Sequence, residues 1–315
     1  MRNEPESKAG RRAEAAGGVD SRADYVARVN RALDHVLDHL AEPLPLEVVA
    51  RAAGFSPFHF HRVFKARMGE TLREFVGRQR LERALTLMSR RPTRSLTEIA
   101  LECGFASSSD FSRAFRQRYG VAPSRFDLAA WRARHREELV GTVEPARLRP
   151  ALAPLAPGAN PDGFEVVLRR LPARTVAYLR VLDPFRSGGV VPAARELVAW
   201  AEARGLADGR WYGTMWEDPE VVALEHCRYD VAVEVEDVVP DGRVGRHVFP
   251  PMLVAELALR GDIALELRAL DWLFTTWLPR SGFEPDEQPC FEAWAGRPFA
   301  HGTKHFELAV QLPVR

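Results

Sequence analysis

Cysteine is scarce in this 315-residue chain, and no long apolar segment occurs. The three cysteines, Cys103, Cys227 and Cys290, are far apart and odd in number. They offer neither a disulfide framework nor a clustered zinc motif, and they predict a reducing, cytoplasmic compartment. Because no apolar run of roughly 18 residues is present and the N-terminus carries Glu4 and Glu6, we expect neither a membrane span nor a signal peptide.

Motifs of common catalytic sites are also missing. The sequence has no glycine-rich phosphate loop, no G-x-S-x-G elbow and no Cys–His nucleophile pattern. His301 and His305 are four apart, which suits a metal on a helix, but Gly302 and the adjoining strand pattern argue against a helix there. The sequence therefore predicts no metal site, no cofactor and no enzyme.

Charge is distributed unevenly along the chain, although the formal net charge is only +1. Residues 22–140 hold 21 Lys and Arg against 14 Asp and Glu, a net charge of +7. Residues 161–315 hold 17 against 24, a net charge of −7. This asymmetry favours one domain that binds a polyanion and a second domain with another task.

Composition also marks the domain boundaries. Residues 1–21 are small, polar and charged, which predicts a disordered tail. Residues 139–162 are rich in Pro and Ala without helical periodicity, which indicates an extended linker. We therefore expect a first domain over residues 22–138 and a second over residues 163–315.

Two stretches of the first domain share one local pattern. In each, an amphipathic run (46–53 or 96–103) ends at a Gly-Phe turn, and a second helix follows with buried Phe and outward Arg. The shared positions are Gly54, Phe55, Phe60, Arg62 and Phe64 in the first stretch and Gly104, Phe105, Phe111, Arg113 and Phe115 in the second. The pattern predicts two helix-turn-helix units, joined by one helix over residues 72–88 and held roughly 34 Å apart, one turn of DNA.

From Tyr25 to Trp131 the chain resembles the DNA-binding domain of the AraC/XylS family of transcription regulators. The family pattern I-A-x-x-x-G-F, followed by F-S-R-A-F and G-x-x-P-x-x-F, is satisfied from Ile99 to Phe126. One departure is Asp127, where the family usually has Arg, and it costs a phosphate contact. The resemblance implies an all-α domain that binds double-stranded promoter DNA and works with RNA polymerase.

The resemblance also implies which side chains face DNA. Base contacts are expected from Phe58, His61 and Arg62 in the first unit and from Ser108, Ser109, Asp110 and Arg113 in the second, with Lys65 and Arg116 on phosphates. Arg62 is the best candidate for bidentate pairing to guanine. Asp110 either accepts from a cytosine amino group or caps the helix that begins near Ser107.

The second domain contains an internal repeat of its own. Residues 176–179 parallel 254–257 at an offset of 78, residues 211–219 parallel 290–298 at 79, and residues 229–235 parallel 306–312 at 77. A helical segment at 191–204 follows residues 176–179, and a second one at 262–278 follows residues 254–257. The sequence thus predicts an α+β domain of two strand-helix-strand-strand repeats, related by a pseudo-twofold axis, with helices on one face and a ligand groove between the halves.

From about Gly163 to Arg315 this domain resembles the GyrI-like small-molecule-binding domain. The likeness rests on Asp218-Pro219 and on residues 229–233, 272–294 and 306–314. The segment 289–294 matches the place where the family puts a carboxylate inside an aromatic pocket, which implies that Glu292 is that carboxylate. Trp294 stands where Tyr is commoner. The candidate pocket walls are Tyr178, Trp211, Trp216, Phe291 and Trp294, whereas Trp272 and Trp277 are expected to pack in the helix.

A carboxylate among aromatic rings suits a lipophilic cation, because the cation compensates the buried charge and gains attraction of about 0.5–2 kcal/mol per ring. The sequence therefore predicts a regulator that senses a hydrophobic, cationic small molecule at a drug- or stress-response promoter. Other interpretations stay open. Glu292 could be an exposed strand residue or an ion-pair partner; the domain could be a hydrolase using Glu292 with Tyr178, or a protein-interaction module.

Overall fold

The structure, a computed structural model, describes residues 21–90, 93–142, 155–156, 158–286 and 288–315. The predicted disordered tail, residues 1–21, lies outside the described residues except for its last residue. Most of the predicted linker, residues 139–162, lies outside them too. Where that linker is described, its first residues differ from the expectation, because they continue a helix that ends only at Thr142.

The first domain is helical. Its elements are α1 (Ser21–Asp38), α2 (Leu46–Ala52), α3 (Pro57–Met68), α4 (Leu72–Arg90), α5 (Leu96–Glu102), α6 (Ser108–Tyr119), a 3-10 turn (Pro123–Arg125) and α7 (Leu128–Thr142). The pairs α2–α3 and α5–α6 form the two predicted helix-turn-helix units. Gly104 in the second turn has a φ of +82°, and a Cβ there would lie 2.7 Å from the Leu40 carbonyl oxygen, so only glycine fits.

Each helix-turn-helix unit has its own core, and α4 belongs to both. Phe60 and Phe64 pack with Phe75 from the start of α4. In the second unit, Phe111 packs with Leu85 from the later part of α4. Because α4 has 19 residues and rises about 1.5 Å per residue, it spans roughly 28 Å. The predicted connecting helix is therefore confirmed, and it is anchored in both units.

The second domain is built on one eight-stranded antiparallel sheet. Its strands are β1 (Val167–Leu171), β2 (Arg174–Leu182), β3 (Trp211–Met215), β4 (Arg228–Val235), β5 (Gly245–Phe249), β6 (Met252–Gly261), β7 (Cys290–Trp294) and β8 (Phe306–Val314). The predicted repeat is present, but each copy has one more strand than expected. β1 precedes the first copy and β5 precedes the second.

Strand order explains the role of the additional strands. The order is β1-β6-β8-β7-β3-β4-β2-β5, which is symmetric about the line between β7 and β3. Each repeat therefore donates its first strand to the outer edge of the other repeat, since β1 pairs with β6 and β5 pairs with β2. The predicted pseudo-twofold axis passes between the two central strands.

The two longer helices of this domain lie on the same side of the sheet, as the alternation of the strands predicted. α8 (Val190–Glu202) packs on β2 and β4, and α9 (Ile263–Trp272) packs on β6 and β8. α9 continues into a π-helical segment (Leu273–Trp277) and a short α10 (Leu278–Ser281). We call this side of the sheet the helix face and the other side the opposite face.

The two domains share a packed boundary. Val222 and Cys227 of the second domain are buried in one cluster with Ile99 and Phe111 of the second helix-turn-helix unit. The Trp131 indole nitrogen, on α7, donates to the Val221 carbonyl oxygen at 2.9 Å. These contacts fix the second domain against the second helix-turn-helix unit and α7.

Candidate functional site

The outward face of α3 carries the residues expected to contact DNA. Phe60 and Phe64 are fully buried one helical turn apart, and Val63 packs partly against the same core. His61, Arg62 and Lys65 are exposed on the remaining side of the helix. Phe58, near the start of the helix, is 74% exposed, although it is a large apolar side chain.

We call α3 and α6, the second helices of the two units, the recognition helices. Their arginines have different surroundings. The Arg62 guanidinium lies 5.9 Å from the centroid of the Phe58 ring. In α6, Arg113 Nη2 lies 2.5 Å from Asp110 Oδ1, so its charge is already engaged within the helix. Ser109 and Arg116 are exposed, and Ser108 is half-buried.

Two aspartates of the second unit serve helix starts. Ser107 Oγ accepts from the Asp110 backbone N–H at 3.1 Å and donates to Asp110 Oδ2 at 2.9 Å. Asp110 therefore belongs to the cap of α6, as one of its two interpretations held. Asp127, the departure from the family pattern, accepts from the Ala130 N–H at 2.9 Å at the start of α7.

The two longer helices of the second domain leave the centre of the helix face between them. α8 lies over β2 and β4, and α9 lies over β6 and β8, so β3 and β7 run between the two helices. Val231 and Val310 on the neighbouring strands are buried, whereas Glu292 and Trp294 are partly buried, and Phe299 packs against Trp294 with ring centroids 4.7 Å apart. We call the space over β3 and β7, between α8 and α9, the central groove.

Glu292 lies on the floor of the central groove. Its partner on β3 is Gly213, and a Cβ there would overlap the Tyr229 hydroxyl and lie 2.5 Å from Glu292 Oε2. Trp211 and Trp294 are directly paired on the same face. Two of the five predicted aromatic walls therefore lie beside Glu292.

A second carboxyl group, not predicted from the sequence, meets Glu292. Glu266 projects from α9, is buried, and forms a hydrogen bond with Glu292. The Tyr229 hydroxyl donates to Glu292 Oε2 at 2.5 Å. We call Glu266 and Glu292 the carboxyl pair. The sequence signal for Glu266 is an acidic residue between Leu265 and Leu267 on the apolar side of a helix.

Burial changes the protonation of the carboxyl pair. It raises the pKa of Glu266 well above its ordinary value, and the neighbouring Glu292 charge raises it further. Burial also raises the pKa of Glu292, with part of this effect offset by hydrogen bonds from Tyr229 and Glu266. The pair therefore retains a proton at a pH where an exposed glutamate has lost it.

The other three predicted walls lie on the opposite face. Phe291 precedes Glu292 in one strand, so the two side chains point to opposite sides of the sheet. Tyr178 pairs with Ala232 of β4, and Ala232 pairs with Tyr212 of β3. Paired residues lie on one face of a sheet, so Tyr178 lies on the same face as Phe291. Trp216 donates to Asp230 Oδ2 at 2.7 Å there. The structure therefore separates Tyr178, Trp216 and Phe291 from Glu292, and it also separates the two groups of the alternative hydrolase interpretation.

Tyr178 instead takes part in a contact between the domains. Its hydroxyl donates to Asp34 of α1, and Arg180 Nη1 lies 2.7 Å from the same carboxylate. Arg180 also forms a bidentate pair with Asp230, at 2.9 and 2.7 Å. The Arg180 side chain is fully buried. This network ties the opposite face of the sheet to the first domain.

A cavity of about 770 Å³ lies between the two domains. It is lined from the first domain by α1, α4 and α7, and from the second by residues that include Met215, Cys290, Leu270 and Phe274. Met215 and Cys290 are paired, two positions along from Gly213 and Glu292. This interdomain cavity therefore begins two residues along the strands from Gly213 and Glu292, on the floor of the central groove.

The described part of the chain gives little support to a metal site or to a membrane-spanning helix. His301 and His305 lie in a turn around Gly302 and not on a helix. Among the described residues, no group of three or more His, Cys, Asp or Glu side chains could hold a metal ion. None of the helices described is both long and apolar enough to cross a bilayer.

Comparison with known proteins matches each domain separately. A family model of a helix-turn-helix domain matches residues 49–128. A family model of a GyrI-like small-molecule-binding domain matches residues 164–315.

Three curated relatives show the same division. The chain is 35% identical over 105 residues to the probable transcriptional regulator LumQ of Photobacterium leiognathi, covering 33% of this chain and 42% of LumQ. It is 31% identical over 94 residues to the regulatory protein SoxS of Salmonella typhimurium, covering 30% of this chain and 87% of SoxS. It is 32% identical over 162 residues to a DNA gyrase inhibitor of Edwardsiella piscicida, covering 48% of this chain and 99% of that protein.

These relatives are named as regulators or as an inhibitor, in agreement with the expectation that the chain is not an enzyme. The helix-turn-helix match covers both units of the first domain, and the second match covers the whole sheet. The chain belongs to the AraC/XylS family of transcription regulators, and its second domain is a GyrI-like small-molecule-binding domain.

Proposed function

We propose that this protein is a promoter-binding regulator whose central groove binds a hydrophobic organic cation. The observation that carries the proposal is the carboxyl pair, Glu266 and Glu292, which meet on the floor of the central groove beside Trp294. Two carboxyl groups brought together away from water cannot both be ionised without a large cost. A cation in the groove would remove that cost, which a neutral ligand could not do.

The aromatic surroundings favour a cation whose charge is spread over an apolar body. Trp294 lies on the face of Glu292 and is partly buried, whereas Trp211 is packed in the core beneath α8. A cation over the Trp294 indole ring gains about 0.5–2 kcal/mol. A compact, strongly hydrated ion would lose more on dehydration than it gains here. Lipophilic phosphonium and quaternary ammonium compounds therefore fit the proposed chemistry.

The first domain supplies the proposed promoter contacts. Exposed Arg62 and Lys65 lie on the outward side of α3, and Arg116 lies on the outward side of α6. These are side chains that pair with guanine or with phosphates. Promoter binding also makes RNA polymerase a proposed partner and the cytoplasm the proposed compartment.

A titration of the full chain with tetraphenylphosphonium tests the effector site. We expect saturable quenching of tryptophan fluorescence in the wild type and its loss in Glu292→Gln. The matched control is Glu256→Gln, which also removes one negative charge but lies on the opposite face, where Glu256 pairs with Arg169. Equal binding by the wild type and Glu292→Gln would refute a role for the carboxylate.

One relative favours a second candidate function, a protein-interaction role. The match to a DNA gyrase inhibitor covers 99% of that protein. A supercoiling assay with DNA gyrase distinguishes the two functions. Inhibition by the full chain, together with no binding of tetraphenylphosphonium, would support the interaction role over the sensor.

A further inference from the structure

α9 touches both the central groove and the first domain. Glu266 points to the sheet and meets Glu292 in the carboxyl pair. Asp271 follows five residues later, which places it about 140° around the helix and away from the sheet. One side of α9 therefore contacts the proposed effector site, and another side contacts the helices of the first domain.

The contact from Asp271 reaches α7, the helix that follows the second helix-turn-helix unit. Asp271 Oδ1 lies 2.9 Å from Arg136 Nη1 on α7, and the Asp271 side chain is only 9% exposed. α7 is fixed to α6 through Trp131, whose ring centroid lies 5.3 Å from that of Tyr119. A displacement of Asp271 would therefore act on the orientation of the second recognition helix.

A second contact reaches the helix that joins the two units. Phe274, in the π-helical segment after α9, lies with its ring centroid 5.0 Å from the Arg90 guanidinium at the end of α4. Because α4 packs in the cores of both units, a change at its end alters how they are held relative to each other.

The surroundings of α9 permit movement. Leu267, Leu270, Asp271, Phe274 and Thr275 line the interdomain cavity of about 770 Å³, so this side of α9 is not closely packed. The π-helical segment, Leu273–Trp277, holds more residues per turn than an α-helix. Such segments occur frequently at functional sites. Conversion of this segment to a regular α-helical turn would rotate the preceding helix.

We propose that α9 and the π-helical segment transmit occupancy of the central groove to the DNA-binding units, through Asp271–Arg136 and Phe274–Arg90. This inference rests on the proposed function, because it takes the carboxyl pair as the effector site. A cation between Glu266 and Glu292 separates or reorients the two carboxyl groups. Glu292 is fixed in a central strand, so α9 is the element that moves.

The test measures the coupling between two ligands of the full chain. A DNA duplex is first selected from random sequences with the wild type, and its dissociation constant is measured with and without saturating tetraphenylphosphonium. We expect a change of about fivefold or more in the wild type, in either direction. In Asp271→Asn and in Phe274→Leu we expect that ratio to fall towards one, with tetraphenylphosphonium affinity for the free protein within about twofold of wild type.

The matched control is Glu138→Gln. Glu138 also makes an ion pair between the domains, but its partner Arg186 belongs neither to α9 nor to the π-helical segment. This variant should keep the wild-type ratio, and thermal unfolding checks that all variants are folded. Wild-type coupling retained in both Asp271→Asn and Phe274→Leu would overturn the inference and leave the sensor function standing. Tetraphenylphosphonium binding without any effect on DNA affinity in the wild type would also overturn the inference and leave the sensor function standing. Absence of tetraphenylphosphonium binding would overturn both.

Discussion

Replacing Asp230 by alanine would leave the buried Arg180 guanidinium with one carboxylate in place of two. The Arg180 side chain is 0% exposed and the Asp230 side chain 4% exposed, and the pair is bidentate at 2.9 and 2.7 Å. The remaining carboxylate, Asp34, belongs to the other domain. The variant therefore weakens both the second domain and its contact with the first domain.

The size of the effect follows from the cost of a buried charge that has lost one of its two partners. Removing one partner of a buried ion pair costs about 3–5 kcal/mol. Replacing both partners of such a pair by apolar groups is often neutral. Here Asp34 would remain, keeping its hydrogen bond from Tyr178 but losing Arg180. Because Asp34 still pairs with Arg180 in the single variant, we expect Asp230→Ala to lower the free energy of unfolding by at most about 3–5 kcal/mol, and Asp230→Ala combined with Arg180→Met to recover part of that loss.

Urea denaturation followed by circular dichroism and tryptophan fluorescence measures the effect. Trp216 is a local probe, because its indole N–H donates to Asp230. Asp237→Ala, which removes an exposed carboxylate of an ion pair with Arg246, should stay near the wild-type midpoint. A double variant no more stable than Asp230→Ala alone would refute the reasoning.

Further predictions concern pH and DNA. Because the pKa values of Glu266 and Glu292 are raised, the folded protein holds more protons than the unfolded protein above the ordinary carboxyl pKa. Wild-type stability should therefore fall as the pH rises through the folded-state pKa values of the two groups. Glu266→Gln should remove most of this slope in urea denaturation at several pH values. Arg62→Ala should cost about 1–3 kcal/mol at one base position in binding assays, and Arg113→Ala less, because Asp110 already engages Arg113. Equal losses on random and selected DNA would refute base recognition by Arg62. Lys65→Ala should weaken all sequences alike and reduce the salt dependence of binding.

The helical domain could be predicted from sequence because its signals are local. A Gly-Phe turn fixes the end of one helix, and the paired Phe60 and Phe64 fix the buried side of the next. The outward positions of Arg62 and Lys65 then follow from helical periodicity alone.

The second domain was predictable only as far as its repeats. That Phe291 and Glu292 cannot line one pocket follows from strand alternation, and the sequence already contained that information. The side occupied by Tyr178 depends on register across three strands, which no local pattern specifies. The exchange of β1 and β5 between the repeats is equally non-local.

Contacts between the domains gave no sequence signal. Asp34 on α1 and Asp271 on α9 look like ordinary charged residues on helix surfaces, and only the folded chain brings them to Arg180 and Arg136. Glu266 is an intermediate case, because a carboxylate on the apolar side of a helix indicates a buried role but does not identify Glu292 as its partner.

The most direct test of the central claim is the pH dependence of cation binding to the wild-type chain. If a cation replaces the proton held by the carboxyl pair, tetraphenylphosphonium affinity should rise as the pH increases from the ordinary glutamate pKa through the raised pKa values of the pair. The neutral analogue triphenylphosphine oxide should bind weakly, without that dependence. Cation affinity that is constant over this range, or equal affinity for the neutral analogue, would contradict the proposal that the carboxyl pair is the effector site.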